Sequence, residues 1–473
     1  MKILLLNPPF TDYGGLEGHG GKAAPLNLAY LAAYLRLKKP HLDISILDCE
    51  GLRLKYEQIE SRLRDLAPDV IAITLPTPAF VQGIEVSKIA KRLNPKVKVI
   101  VGGPHPTAFP IETTGEDSID ISVYGEGEVT FTDIIGQLET SGPLADIRGI
   151  AYKDENSNVK LNPPQPLISD LDSVPFPARD LLPLDIYFPP PTKRESNKNS
   201  ANMVTSRGCP YECTYCMARI IWNKKVRFRS VKNVVDEIEE CVKKYNLGEF
   251  NFHDELFTLK RDRTIEICRE IQRRKLDIAW VCMVRVDYVW EDVLREMKKA
   301  GCKKIMFGFE SGSQEILDTM KKKTNIKQAI DAVKLVKKVG IKTAGNFMFG
   351  NIGETDESIR KSIDLAKLLN TDTVAFFIAS PYPGTEFYEI AKRNGYLRPD
   401  LEWKDFTLVA DRAKPPLNLP DLSSERIAEW QKKAYKEYYF RMGYILQKLF
   451  SIRSATDIKN IFYGTQLLFK LQK

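Results

Sequence analysis

Short apolar runs alternate with helical periods in two separate stretches of this 473-residue chain, and that rhythm leaves few architectures open. In residues 1 to about 140, strand candidates at 3–7, 44–48, 70–74, 97–101 and 119–124 are separated by helical stretches near 26–37, 56–66, 81–93 and 128–138. The rhythm resumes near residue 201, with strands at 202–205, 250–253, 278–283, 304–309, 343–349 and 373–378. The helices between them are read at 231–245, 263–274, 293–299, 326–339 and 356–369. Strands separated by helices form βαβ units and hence parallel sheets. The first stretch predicts a doubly wound α/β domain, and the second predicts six βα units curling into an open (β/α)6 barrel. In both architectures ligands sit beyond the carboxyl ends of the strands.

Just past the first strand of the second stretch, Cys209, Cys213 and Cys216 lie in the run Gly208-Cys209-Pro210-Tyr211-Glu212-Cys213-Thr214-Tyr215-Cys216. This C-x3-C-x2-C spacing gives three thiolates that can hold three irons of a [4Fe–4S] cluster and leave the fourth iron open to a substrate-like ligand. Zinc is the other reading, but it usually takes a fourth Cys or His at close spacing, and the nearest His downstream is His253. Cys49, Cys241, Cys268, Cys282 and Cys302 are scattered on apolar or mixed segments and read as ordinary buried thiols. Eight cysteines, three of them clustered, suit a reducing cytoplasm better than a disulfide framework. The net charge of +8 is compatible with anionic cofactors or an anionic membrane surface, yet too thinly spread to argue for nucleic acid. The N-terminus reads as a strand stopped by Pro8 and Pro9, not as a leader peptide, and no apolar run reaches the ~20 residues of a membrane span.

The cysteine run, with Tyr215 directly before its third cysteine, resembles the radical S-adenosylmethionine (SAM) superfamily. The resemblance implies that SAM chelates the open iron and is cleaved by a cluster electron to methionine and a 5′-deoxyadenosyl radical. That radical removes hydrogen from an unactivated carbon. Further motifs fall one to a strand end. Asn251-Phe252-His253-Asp254-Glu255 offers a carboxylate for the SAM ammonium; pattern alone leaves Asp254 and Glu255 open, and Asp254 is taken here. Arg285 follows the third strand and would meet a SAM carboxylate. Gly308-Phe309-Glu310-Ser311-Gly312 resembles the superfamily's G-x-E-S element near SAM, and Glu354 its fifth-strand motif near adenine. Taken singly, Glu310 and Glu354 read equally as surface carboxylates, with Thr355 capping a helix. Arg207 and Arg219 flank the cysteines, where they would favour an anionic ligand, tune the cluster or stand solvated.

In the first stretch, the loops at strand ends are rich in small and turn-forming residues. They include Thr74-Leu75-Pro76-Thr77, Gly102-Gly103-Pro104-His105-Pro106-Thr107 and Gly125-Glu126-Gly127-Glu128. Taken alone they suit either a flavodoxin-like domain with tight turns or close backbone approach to a bulky ligand. Their succession resembles the cobalamin-binding domain that precedes many radical SAM domains. The resemblance implies that Gly102 and Gly103 approach the nucleotide tail and that Thr74 and Thr77 line its channel, with His105 and the Gly125, Glu126 and Gly127 loop nearby. The D-x-H-x-x-G motif that supplies a histidine to cobalt is missing after the first strand, where Asn7-Pro8-Pro9-Phe10-Thr11-Asp12 stands instead. Base-off cobalamin without a histidine on its lower face is therefore expected, His19 and His105 being neighbours of the cofactor at most.

The resulting division is a cobalamin-binding domain at 1–142, an extended Pro-rich connector at 143–198 with one short strand near 149–153, a radical SAM partial barrel at 199–400, and a helical extension at 401–473. Apolar Leu171, Phe176, Leu181 and Tyr187 would anchor the connector. The extension carries Trp403, Trp430, Tyr435, Tyr438, Tyr439 and Tyr444 at helical spacing and ends in a basic apolar segment at 458–473, suiting either a cap over the barrel mouth or a peripheral membrane contact. The family resemblance implies a cytoplasmic monomer that takes electrons from a donor such as flavodoxin or ferredoxin. It implies methyl transfer from cobalamin to an unactivated carbon of a small molecule, with a tetrapyrrole or lipid among the candidates. The alternative is ring closure, contraction or C–C bond formation without methyl transfer, since the layout also resembles the anaerobic magnesium-protoporphyrin ester cyclase and hopanoid-modifying branches. A cobalamin sensor would have no use for an open iron, and a methylthiotransferase would need a second cysteine cluster that residues 1–200 lack.

Overall fold

The computed structural model describes residues 1–10, 21–190, 193–406 and 414–450. Among these, the first sheet has seven strands: β1 (Lys2–Asn7), β2 (Asp43–Asp48), β3 (Val70–Thr74), β4 (Lys98–Gly102), β5 (Ile121–Val123), β6 (Ile150–Lys153) and β7 (Val159–Leu161), in the order β2-β1-β3-β4-β5-β6-β7. β1 to β5 pair in parallel. Alternate residues of β1 serve the two faces. Ile3 and Leu5 pack with Leu28 and Phe131 of helices Leu26–Lys38 and Gly127–Thr140. Leu4 and Leu6 pack with Ile59 and Ile84 of helices Tyr56–Leu66 and Phe80–Leu93. This two-sided burial explains why β1 and β3 read as continuous apolar runs.

The connector differs from expectation at its start. Its one foreseen strand is the first arm of an antiparallel hairpin, β6–β7, which extends the first sheet. Asn162 closes the hairpin, donating from Nδ2 to Leu144 and Ile147 carbonyls and accepting from the Tyr124 hydroxyl through its own carbonyl. The extended segment thus begins after residue 161, not at 143. It then runs between the two halves: Ala178 N–H donates to Ala29 O in the first, and the buried Arg179 guanidinium pairs with Glu237 at 2.6 Å and reaches Asn202 O in the second. Leu171 and Tyr187 are buried, and Phe176 and Leu181 are half-buried.

The second main sheet is formed by β8 (Asn199–Met203), β11 (Leu247–Phe252), β12 (Ala279–Val284), β13 (Cys302–Glu310), β14 (Lys342–Phe349) and β15 (Thr373–Ile378), all parallel and ordered β15-β14-β13-β12-β11-β8. Between β8 and β11 lies a two-stranded antiparallel ribbon of β9 (Ser206–Arg207) and β10 (Arg227–Phe228). Helices Val231–Tyr245, Arg261–Arg273, Glu291–Lys299, Ile326–Val339 and Asp356–Leu369 cover the outside and bury Phe250, Trp280 and Phe307 beneath them. Side-chain caps fix several helix starts: Ser230, Asn325 and Thr355 accept from the backbone N–H three residues on.

The helical extension covers an edge of this sheet. On helix Ser424–Tyr439, Gln431 Nε2 donates to Phe376 O, Tyr435 Oη accepts from Phe376 N–H, and Tyr439 Oη both accepts from Val374 N–H and donates to Val374 O. These groups satisfy the outer backbone of β15, which would otherwise be an open edge. A second helix, Met442–Phe450, follows. The apolar segment 458–473 lies outside the described residues. No helix among the described residues is long and apolar enough to cross a membrane.

Candidate functional site

The cysteine loop leaves β9 through Gly208, whose φ of +105° is a conformation L side chains rarely adopt. A Cβ there would lie 2.0 Å from Lys225 O, just ahead of the neighbouring ribbon strand β10. Downstream, Thr214 N–H donates to Met320 O and Phe387 N–H donates to Thr214 O, so the loop is tied to segments beyond β13 and β15. Cys209, Cys213 and Cys216 are free and partly exposed. Burial pushes the Cys209 thiol up and the Cys216 thiol to about 11. Among the described residues no three His, Cys, Asp or Glu side chains converge closely enough for a single metal ion. Three unpaired thiols spread along one loop suit a larger cluster better than zinc, which draws its ligands into one tetrahedron.

Several expected SAM neighbours gather around this loop. The Arg285 guanidinium lies 3.6 Å from the Tyr211 ring centroid and donates to Asp287 and Lys323 O. Tyr215 Oη donates to Glu310 at 3.1 Å, and Lys322 Nζ donates to both Glu310 (2.8 Å) and Tyr215 Oη (3.1 Å). Glu310 has a φ of +66°, so β13 ends in a strained residue that turns its carboxylate toward this group. Lys322 was not singled out from sequence, since it sits in the run Lys321-Lys322-Lys323 where nothing marks the middle lysine as buried.

Three expected contacts are turned elsewhere. Asp254 is buried with both oxygens engaged: Oδ1 accepts from the Thr205 and Ser206 N–H groups, and Oδ2 from the Thr205 hydroxyl. It fastens the root of the cysteine loop to β11, and its neighbour Glu255 faces the cavity, accepting from Trp222 Nε1 (2.6 Å) and Gly208 N–H (3.2 Å). Ser311 is fully buried against Ser362 and accepts from Ser313 N–H. Glu354 closes the turn after β14 by accepting from Gly350 and Asn351 N–H; burial pushes its carboxyl up to about 7, and its Oε1 has no hydrogen-bond partner.

Beside the root of the cysteine loop, a cavity of about 300 Å³ opens between the carboxyl ends of the two sheets. Thr74, Gly102, Gly103 and the Gly125-Glu126-Gly127 loop wall it on one side; Ser206, Arg207, Trp222, His253 and Glu255 wall it on the other. Its floor is apolar, with Leu28, Ile73, Val101 and Phe131. Gly125 has a φ of +81° and open space where a Cβ would stand. Thr74 Oγ1 accepts from Asn27, a lining residue the sequence did not flag.

Thr77 and His105 do not reach this cavity. The His105 ring is buried against Phe80, Phe109 and Trp403, its Nδ1 lies 3.3 Å from Thr77 Oγ1, and burial lowers its pKa to about 4. The short helix Pro104–Ala108 turns that side chain into the aromatic cluster. His19 lies outside the described residues. His253 is the histidine that does reach the cavity; partial desolvation between the cavity walls, with Lys193 adding to it, lowers its pKa.

Charge at the seam is tightly paired. Arg207 donates to Glu126 (2.8 Å) and Glu128 (2.6 Å), while Arg227 donates to Glu126 (2.7 Å) and Ile168 O. Burial alone would raise Glu126, but the Arg227 and Arg207 contacts outweigh it and hold the carboxyl below its ordinary range. Arg207 is thus committed to the first domain, neither solvated nor free for an anion, and Arg219 pairs with Glu386 on the surface.

Known family models match both halves of the chain. The model of the radical SAM superfamily matches residues 203–366, and that of the B12 binding domain matches residues 18–135. The chain is 37% identical to an uncharacterised methyltransferase of Pyrococcus horikoshii, covering 95% of each chain. It is 32% identical to the anaerobic magnesium-protoporphyrin IX monomethyl ester cyclase of Rubrivivax gelatinosus, covering 82% of this chain and 70% of that one. The fold is similar to that of the cobalamin-dependent S-adenosylmethionine radical enzyme OxsB, solved with aqua-cobalamin and S-adenosylmethionine bound, with a TM-score of 0.75 at 19% identity over 98% of this chain and 70% of that one.

Proposed function

The chain belongs to the B12-binding branch of the radical SAM superfamily, and from that premise we propose that it methylates an unactivated carbon of a small molecule. Its cofactors are a [4Fe–4S] cluster, SAM and cobalamin. When bound, they supply reductive SAM cleavage, a hydrogen-abstracting radical and a transferable methyl group. The residues fit these groups: three unpaired thiols share one loop, and a glycine-walled cleft with an apolar floor offers room for a bulky ring.

In this reading Cys209, Cys213 and Cys216 hold the cluster. Asp254 and Gly208 set the path of their loop. Glu255, Arg285, Tyr215 and Glu310 orient SAM, with Lys322 holding the Glu310 carboxylate in place. Thr74, Gly102, Gly103, Gly125 and Gly127 shape the cobalamin cleft. The Arg207 and Arg227 pairs hold the two halves together across the cavity and limit entry of water there. The protein's contribution is thus chiefly placement, which matters most when reacting groups come from different domains. We propose further that it works as a cytoplasmic monomer fed by a flavodoxin or ferredoxin.

The observation that carries this reading is the shared cavity, bounded by strand ends of both sheets with the root of the cysteine loop in its wall. The test is incubation of the reconstituted protein with methyl-labelled SAM, a low-potential reductant and a metabolite extract. Label in a new product, formed together with 5′-deoxyadenosine, is expected. Deoxyadenosine with a modified but unlabelled product would favour ring closure and sink methyl transfer.

A further inference from the structure

Beyond His253, the main cavity adjoins a second chamber of about 150 Å³, and His253 lines both. Its wall is built from Ser200 and Asn202 on β8, Glu249 and Asn251 on β11, and Val281 on β12. Their spacing of two puts them on one face of the sheet, turned away from the covering helices. The connector closes the other side and brings in Lys193.

The polar groups of this chamber are out of balance. Lys193 is half-buried and makes no ion pair or side-chain hydrogen bond among the described residues. The carboxylate in the described lining, Glu249, is already occupied: it accepts from Glu195 N–H (2.6 Å), Ser196 N–H (3.2 Å) and the Ser196 hydroxyl (2.7 Å). Lys22 Nζ donates to Gly51 O. Asn251 Nδ2 and Asn202 Oδ1 lie 2.9 and 3.1 Å from His253 Nε2, a single ring nitrogen that can serve one of them at a time. The amide position not held by His253 is buried without a partner; with the amide turned so that Oδ1 accepts from His253 Nε2–H, Asn251 presents Nδ2 there as an unpaired donor. A buried amide with an unmade hydrogen bond, beside a cation lacking a counter-charge, is what a site looks like before its ligand arrives. Burial depresses the Lys193 pKa, and an arriving anion would restore the charged form.

We infer that this chamber is an oxyanion subsite of the substrate pocket, in which Lys193 and the Asn251 amide take a carboxylate or phosphate-type group of the substrate. The assignment rests on the proposed small-molecule methylation, and it places the anionic end of the substrate past His253, with the reacting carbon in the larger cavity. The chamber's size admits a headgroup and excludes a macrocycle.

The test is calorimetric titration of the cluster- and cobalamin-loaded protein at constant ionic strength, with inorganic phosphate and separately with acetate. At least one anion should bind, and the stronger identifies the source of the oxyanion. Lys193→Met should weaken that binding by about ten-fold or more, as loss of a charge-assisted hydrogen bond implies. Lys193→Arg should retain most of it, and Lys334→Met, on an exposed helix face, should not change it. In the wild-type protein the same anion should slow acylation of Lys193, read by peptide mass spectrometry, which keeps the test open should Lys193→Met fold poorly. Absence of binding by either anion, or equal binding in Lys193→Met, overturns the subsite. None of these readouts uses methyl transfer, so this inference and the methylation reading can fail separately.

Discussion

Arg207 offers the sharpest test of how the two halves are held. Its guanidinium is buried between Glu126 and Glu128, but the two carboxylates differ in what else supports them. Glu126 also accepts from Arg227 and from Ile168 N–H, whereas the Glu128 carboxylate pairs with Arg207 alone among the described residues. Arg207→Met therefore strands one buried charge, and removing one partner of a buried pair costs about 3–5 kcal/mol. Glu128→Met leaves Arg207 with Glu126 and should cost only about 1–2 kcal/mol. The double variant replaces the pair by apolar groups and should be more stable than Arg207→Met alone, giving a coupling of about 2 kcal/mol or more. The assay is denaturant unfolding of all four proteins with cofactors bound, together with iron per chain. Iron should fall in Arg207→Met, because Gly208 and Cys209 follow directly. If Arg207→Met lies within about 1 kcal/mol of wild type, or the double variant is worse than either single one, the pairs do not carry the seam and the reasoning fails.

Other outcomes can be checked on the same material. The Glu354 carboxyl is raised from 4.5 to about 7 by burial, so the folded state keeps a proton that the unfolded chain releases first. Stability should fall by about 3 kcal/mol as pH rises from 4.5 to 7 and level off above, while Glu354→Gln should lose that slope; parallel denaturation curves for the two would refute it. Gly208→Ala forces a Cβ against Lys225 O and should cost at least ~2 kcal/mol and empty the cluster site, read by iron content and visible absorbance. A Cβ at Gly102 would meet only Val123 at ordinary contact distance, so Gly102→Ala should fold normally. Cobalamin uptake should nevertheless weaken by about ten-fold, roughly 1.4 kcal/mol; unchanged uptake would remove Gly102 from the cleft.

The helices Val231–Tyr245 and Ile326–Val339 were legible in sequence to the residue, because an apolar stripe is bounded there by a capping side chain and a left-handed C-cap. β15 was equally legible as an alternating apolar run. The hairpin arm β7 was missed because Val159-Lys160-Leu161 is short and mostly exposed, and its place depends on backbone pairing with β6. At the site, the three cysteines announced themselves by spacing alone. The choice between Asp254 and Glu255 could not be read, since neighbours just past a strand end point to opposite sides and only the tertiary fold tells which is inward. Lys322 and Tyr215 are 107 positions apart, and Arg207 and Glu128 are 79 apart; pairing over such separations leaves no local pattern.

The buried Arg179 of the connector has a consequence for engineering and for evolution. A cobalamin domain grafted from a relative without its own connector would leave Glu237 with Arg229 only, and helix Leu26–Lys38 without the backbone partner that Ala178 supplies. The two halves are therefore not interchangeable cassettes. A productive chimera must carry residues 163–190 as part of the joint, and its crossover points belong on either side of that segment rather than within it.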